Sequence, residues 1–88
     1  MVYKRDGRKQ SFDRTKIENA IMKAFIEADD GIETKYAKTK AKEIANYIEA
    51  MEKDMSVEEI QDIVEEKLMS SNRKDVAKKY IIYRSRII

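Results

Sequence analysis

Apolar residues recur every three or four positions along most of this chain, which is the period of an amphipathic helix. The recurrence predicts four helices: from about Arg14 to Ala28, from about Thr34 to Met51, from Ser56 to the segment "SSN", and from Asn72 onward. The predicted inner faces are Ile17, Ala20, Ile21, Ala24 and Ala28, then Ala37, Ala41, Ile44, Ile48 and Met51, then Val57, Ile60, Val64 and Leu68, and finally Val76, Tyr80, Tyr83 and Ile87. This pattern predicts one core shared by four helices.

A hairpin signal precedes the first helix. Residues 2–4 and 9–11 flank Asp6-Gly7, a dipeptide typical of two-residue turns between antiparallel strands. Asp13 suits the N-cap of the first helix, and Ser56 with Glu59 forms a capping box for the third. The loop "EKDM" is a candidate third strand. We therefore predict an α+β, mainly helical fold in which a small strand unit comes before four helices.

Length and composition exclude several classes of protein. The 88 residues fit a single domain, residues 1–88, because two smaller pieces would not each bury a core. The chain contains no Cys and no His, which removes disulfides, zinc ribbons, thiol nucleophiles and the usual general base. It also lacks a phosphate-binding glycine loop and a paired-carboxylate motif, so we do not expect an enzyme. No apolar run approaches the roughly 20 residues of a membrane span, and we expect a cytoplasmic domain.

Charge is distributed unevenly along the chain. Residues 1–23 hold seven Lys/Arg against three Asp/Glu, residues 24–66 hold five against thirteen, and residues 67–88 hold seven against one. The two ends are therefore basic and the middle is acidic, although the net charge is only +2. If the fold brings the ends together, they form one positive surface that favours an anionic partner.

Cations crowd the start of the first helix, where they oppose the helix macrodipole at about 0.3–1 kcal/mol each. Arg14 and Lys16 occupy the first and third helical positions, and the neighbouring hairpin adds Lys4, Arg5, Arg8 and Lys9. A multiply charged anion bound there would neutralise the cluster, since violations of local preference tend to mark functional sites. The alternative is that these long side chains extend into water at almost no cost, and charge alone does not decide between the two.

Three blocks of sequence together resemble the ATP-cone family. They are "VYKRDG" with "FDRTKIENAIMKA", then "SVEEIQDIVEEKL", and finally "VAKKYIIYRSR", in that order and over nearly the whole chain. The family is best known as the nucleotide sensor at the N-terminus of ribonucleotide reductases. The resemblance implies a four-helix bundle capped by a small three-stranded sheet, with ATP or dATP held between cap and helices. We expect Mg²⁺ to accompany the nucleotide, and an acid of the second or third helix is a candidate to help hold it.

The resemblance also implies the residues that bind nucleotide. Phosphate contacts fall on Lys4, Arg5 and Lys16. Adenine walls fall on Val2 and Ile17, sugar or base contacts on Asp13 and Gln10, further positions near the nucleotide on Val57 and Gln61, and a position in the closing motif on Arg84. Some family members have Thr and His where this chain has Val57 and Gln61, so hydrogen bonding there is expected to differ.

The function implied by the resemblance is allosteric control of ribonucleotide reductase activity by ATP and dATP. The expected partners are the nucleotide, the catalytic body of a parent reductase and other copies of the domain. The anaerobic type of reductase is favoured, but the sequence leaves the class open. The alternative is a nucleic-acid-binding or nucleotide-sensing module of a repressor of reductase genes. The acidic third helix argues against insertion into a DNA groove.

Overall fold

The computed structural model describes residues 1–86 and has the predicted α+β, mainly helical architecture. Its elements in chain order are β1 (Val2–Tyr3), β2 (Lys9–Gln10), α1 (Arg14–Ala28), α2 (Lys35–Glu49), β3 (Met55–Ser56), α3 (Val57–Met69) and α4 (Lys74–Arg86). The predicted inward position of Ile87 lies outside the described residues. Among residues 1–86, no helix is both long and apolar enough to cross a membrane.

The three short strands form a cap in the order β2-β1-β3. Val2 in the central strand pairs with Gln10 in an antiparallel register and with Met55 in a parallel one. The hairpin turn depends on Gly7, whose φ of +87° lies in the region that glycine adopts without strain. The candidate third strand in "EKDM" is therefore present, and it begins at the last residue of that segment.

Three helices begin at side chains that accept hydrogen bonds from otherwise unpaired backbone N–H groups. Asp13 accepts from the N–H of Thr15, Thr34 from that of Ala37, and Ser56 from that of Glu59. The fourth helix begins differently from the prediction. It starts at Lys74 and not at Asn72, after a turn in which the Ser71 hydroxyl accepts from the N–H of Arg73.

The core lies where α1 packs against α2 and α4, with α3 closing it on the side of the cap. Its largest fully buried side chains are Phe25, Ile21, Ile48, Leu68, Val64 and Val76. Val2 and Met55 join the same cluster from the sheet, which fixes the cap on the bundle. Four buried helical residues, Phe25, Ala45, Gln61 and Ala77, were not among the predicted inner faces.

An ionic cluster ties the end of α1 to the start of α4. Arg73 donates to Asp29 at 2.6 Å and to Asp75 at 2.9 Å, and its guanidinium lies 5.7 Å from the centre of the Phe25 ring. Hydrogen bonding to Arg73 lowers the pKa of Asp75. The other oxygen of Asp29, Oδ2, is buried without a hydrogen-bond partner in residues 1–86. Arg73 is therefore the group that compensates the Asp29 charge.

Candidate functional site

A cavity of about 250 Å³ lies beneath the sheet, between α1, α3 and α4. We call it the apolar cavity because most of its wall is hydrocarbon. Its lining residues are Val2, Gln10, Ser11, Asp13, Lys16, Ile17, Ala20, Val57, Ile60, Gln61, Val64, Tyr80 and Tyr83. The sheet, the start of α1 and the start of α3 meet there because Val2 and Met55 anchor the cap in the core. A mostly apolar concave wall with few polar groups is typical of a small-molecule site.

The few polar groups of the apolar cavity are well placed to orient a ligand. Gln61 is buried, with 9% of its surface exposed, and no hydrogen bond within residues 1–86 satisfies its side-chain amide. One oxygen of Asp13 accepts the N–H of Thr15 at 3.0 Å, so this carboxylate is held at the cavity as the cap of α1. Neither polar atom of the Gln61 amide is among the buried unpaired atoms, so the amide faces the open cavity and is available to a ligand as donor and acceptor.

A second depression, of about 370 Å³, adjoins the first and is lined by Lys4, Arg5, Asp6, Gln10 and Val57. We call it the basic hollow. It shares Gln10 and Val57 with the apolar cavity, so the two spaces are neighbours. The β1–β2 turn provides the cations, and the start of α3 provides the opposite wall. One elongated ligand with an apolar end and an anionic end fits this arrangement.

The charges of the basic hollow are only partly neutralised by the protein. Asp6 pairs with Arg8 at 2.6 Å, and a hydrogen bond from the Arg8 backbone N–H lowers the pKa of the Asp6 carboxyl. Arg5 pairs with Glu58 on α3 at 2.8 Å. Within residues 1–86 the ammonium of Lys4 has no carboxylate in ion-pair distance. The hollow therefore keeps cationic character toward solvent.

A shallower groove of about 600 Å³ opens on the other side of the apolar cavity. We call it the side groove, and it is lined by Lys16, Asn19, Ala20, Met22, Lys23, Ile26, Glu33 and Tyr83. Lys16, Ala20 and Tyr83 belong to both spaces. The Lys23 ammonium lies 5.5 Å from the centre of the Tyr83 ring. Lys16 thus reaches the cavity from α1, whereas Lys4 and Arg5 approach from the hairpin.

Not every cation near the first helix faces these spaces. Arg14 donates to Glu18 and to Glu49, each at 3.1 Å, and the hydrogen bond with Glu18 raises its pKa. Local acids therefore relieve the unfavourable position of this cation at the helix start. Lys9 lies 5.3 Å from the centre of the Tyr3 ring. The positive charges of Arg14 and Lys9 therefore have partners within the protein, and their presence near the first helix does not require a ligand.

Arg84, the remaining residue implied by the resemblance, lies outside the cavity lining. It donates to Asp62 at 2.8 Å and to Glu65 at 3.2 Å, joining α4 to α3. Burial opposes its charge, but the hydrogen bond with Asp62 and the two carboxylates raise its pKa. In this structure Arg84 is a helix-to-helix contact.

The structure brings together nine of the ten residues that the resemblance implies. Val2, Gln10, Asp13, Lys16, Ile17, Val57 and Gln61 line the apolar cavity, and Lys4 and Arg5 line the basic hollow. Sequence reasoning did not assign Ser11, Ala20, Ile60, Val64, Tyr80 and Tyr83 to the site. All of these except Ser11 had been predicted as core residues. Helical periodicity predicts that a side chain points inward, but it does not predict that a cavity is left beside it.

Tyr80 is the most deeply placed aromatic residue of the cavity. Its side chain is almost fully buried, and burial raises the pKa of its hydroxyl above the usual range. The Tyr83 ring lies 6.2 Å from that of Tyr80, centre to centre, at a tilted angle. Tyr80 therefore serves the core and the cavity wall together. Residues 1–86 contain no group of three or more His, Cys, Asp or Glu side chains arranged to hold a metal ion.

Comparison with known proteins identifies the family of this fold. Residues 1–86 match the family described as the ATP cone domain, and the chain belongs to that family. It is 41% identical over 93 residues to a vitamin B12-dependent ribonucleoside-diphosphate reductase from Thermoplasma acidophilum, with 97% of this chain covered. It is 38% identical over 84 residues to an anaerobic ribonucleoside-triphosphate reductase from Haemophilus influenzae, with 94% covered.

The matched region is a small part of each relative. The alignment covers 12% of the length of the Thermoplasma reductase and 12% of the Haemophilus reductase. The chain thus corresponds to the ATP-cone portion of these enzymes, and an ATP cone is in general an allosteric, nucleotide-binding regulatory domain.

Proposed function

We propose that this domain binds ATP and dATP and thereby controls the activity of a ribonucleotide reductase in the cytoplasm. The observation that carries the proposal is the adjacency of the apolar cavity and the basic hollow, which share Gln10 and Val57 in their walls. A nucleoside triphosphate has the matching shape, with a flat, weakly polar base at one end and several negative charges at the other. Membership of the ATP-cone family supports the same ligand.

In the proposed complex the adenine occupies the apolar cavity between Val2, Ile17 and Val57. Gln61 offers an unpaired amide, which both donates and accepts hydrogen bonds, to the edge of the base. The triphosphate extends toward Lys4 and Arg5, and Lys16 approaches it from α1. Any Mg²⁺ is held chiefly by the phosphates, because Mg²⁺ keeps several waters and commonly binds with substrate phosphates.

The cations and the cavity are sufficient for useful affinity. Micromolar binding requires about 8 kcal/mol. Hydrogen bonds to charged groups contribute roughly 1.5–3 kcal/mol each, so three cations supply about half of that total or more. Burial of adenine against the apolar wall adds to this contribution at about 25 cal/mol per Å². No glycine-rich phosphate loop is needed.

Discrimination between ATP and dATP depends on one hydroxyl group, the ribose 2′-OH. Gln10 and Asp13 line the cavity on the side of the sheet and the start of α1, and they are our candidates for contacting the sugar. Regulation further requires that the two nucleotides favour different assembly states, because a ligand with equal affinity for both states shifts nothing. We propose that those states differ in the contacts of this domain with the catalytic body of its reductase and with other copies of the domain.

Calorimetric titration with ATP, dATP and GTP tests the proposal. We expect ATP and dATP to bind in the micromolar range and GTP to bind at least tenfold more weakly, because its base presents different donors and acceptors to Gln61. Lys4→Ala is expected to weaken ATP binding about ten- to a hundredfold, the equivalent of one charged hydrogen bond. Lys78→Ala, an exposed lysine on α4, is the matched control and should bind like the wild type.

Two results would contradict the proposal. The first is binding that does not distinguish adenine from guanine, which would mean that the base does not enter the cavity. The second is wild-type affinity in the Lys4→Ala/Lys16→Ala double variant, which would place the phosphates elsewhere.

A further inference from the structure

One cation of the basic hollow already has a counter-ion within the protein. The Nε atom of Arg5 lies 2.8 Å from Oε1 of Glu58, and the two side chains are 43% and 46% exposed. Arg5 follows β1 in the cap, whereas Glu58 is the second residue of α3. The ion pair therefore joins the cap to the bundle at the rim of the hollow.

The other charged groups of the hollow are arranged differently. The Asp6 carboxylate is held by Arg8, its neighbour across the turn, and is not directed to Arg5 as a hydrogen-bond acceptor. Lys4 has no carboxylate in ion-pair distance among the described residues 1–86. Of the two cations lining the hollow, Arg5 is thus the one that an acid from α3 neutralises.

We infer that Glu58 competes with the ligand for Arg5 and lowers the affinity of the hollow for phosphate. The inference rests on the proposed function and adds a regulatory element to it. Glu58 contacts the guanidinium of Arg5 on its Nε side only. A phosphate that binds in a two-pronged geometry through Nε and a terminal nitrogen therefore meets Glu58 at Nε and must displace it, and displacement releases one link between cap and α3.

The strength of the competition follows from the exposure of the pair. An exposed ion pair of ordinary strength keeps its partners together in roughly 60–85% of molecules. Arg5 is then free for phosphate only in the remaining molecules, and this reduces the apparent affinity for ATP about two- to sixfold. The effect is also sensitive to salt, because exposed charges are screened over about 10 Å at 0.1 M ionic strength. Glu58 therefore adjusts affinity moderately and does not block the site.

The test is calorimetric titration of the whole chain with ATP at low salt, comparing the wild type with Glu58→Gln. We expect Glu58→Gln to bind ATP two- to sixfold more tightly, and the difference to shrink toward none as salt is raised. Glu66→Gln is the matched control, since Glu66 is exposed on the same helix and loses the same charge away from the hollow. Its ATP affinity should stay within about 1.5-fold of the wild type.

A second pair of variants separates competition from simple charge repulsion. In an Arg5→Ala background, Glu58→Gln should leave ATP affinity unchanged, because no guanidinium remains to be released. An undiminished gain in that background would overturn the inference, since Glu58 would then act directly on the ligand. Unchanged or weaker ATP binding by Glu58→Gln alone, with normal wild-type binding, also overturns it and leaves the proposed function intact. Absence of ATP binding by the wild type would refute the proposed function and this inference together.

Discussion

A larger side chain in the apolar cavity should make this domain more stable and at the same time weaken its binding of nucleotide. Ala20 lies in the middle of α1, is half buried and forms part of the cavity wall. In Ala20→Leu the side chain gains three carbon atoms. At about 0.8 kcal/mol per fully buried CH₂, and with half of that burial achieved, the free energy of unfolding rises by about 1 kcal/mol. For a domain of this size, that corresponds to an increase in Tm of roughly 4–8 °C.

The same side chain would occupy space that we assign to adenine. Forcing excess volume into a packed site typically costs 1–3 kcal/mol, which weakens ATP binding about five- to 150-fold. Urea unfolding and calorimetry on one preparation measure both effects. Ala28→Leu, on the same helix and partly buried but outside the cavity, is the control and should keep wild-type affinity. A more stable Ala20→Leu variant that binds ATP like the wild type would refute our placement of the base.

Three further predictions concern the bundle. Arg73→Met leaves the Asp29 carboxylate without its compensating cation and should lower the free energy of unfolding by about 1–3 kcal/mol in urea; no recovery on adding Asp29→Asn would contradict this reason. The pKa of Asp75 is depressed in the folded protein, so its stabilising contribution is complete above the unfolded pKa of about 4 and is lost as pH falls through the folded value. Urea unfolding from pH 7 to pH 2 should show a larger loss in the wild type than in Arg73→Met, where the Val76 N–H still lowers the pKa of Asp75. Leu68→Ala should destabilise by about 2–5 kcal/mol, because Leu68 is fully buried; a loss below 1 kcal/mol would mean that the core is loosely packed there.

The helices were predictable from sequence because their signals are local. The prediction for the first helix, Arg14 to Ala28, agrees with the structure, and Thr34 caps the second helix just before its first residue. The same reasoning missed Phe25, which lies four residues after Ile21 and therefore belongs to the buried side of α1. The predicted inner face of α1 included Ala20, Ala24 and Ala28 and left out Phe25. Phe25 nevertheless has the largest fully buried side chain of the helix.

The parallel pairing of β1 with β3 depends on contacts between distant parts of the chain, which the spacing of apolar residues does not predict. Val2 and Met55 are far apart in sequence, and both strands are two residues long. Neither strand is long enough to show an alternating pattern. The resemblance to a family supplied the three-stranded cap that local reasoning left as a candidate. Topology at this point is determined by burial of Val2 and Met55 in the shared core.

The candidate site was predictable to the extent that it follows the hairpin and the start of α1. Charge marked six cations around the hairpin and the start of α1, and the resemblance selected Lys4, Arg5 and Lys16 among them. These three line two neighbouring spaces. Sequence did not show which cations already have partners. Arg14 pairs with Glu18 and Glu49, and that second acid lies on another helix. Counter-ions that come from distant elements decide which positive charges remain for a ligand.

The central claim is that one nucleotide spans the apolar cavity and the basic hollow, and nuclear magnetic resonance tests it directly. In the ATP-saturated protein we expect nuclear Overhauser contacts between the adenine protons and the methyl groups of Val2, Ile17 and Val57. The Nε–H signal of Arg5 should shift in the same titration as its partner changes from carboxylate to phosphate. Adenine contacts confined to the exposed face of α4, or an Arg5 signal unmoved at saturation, would contradict the account.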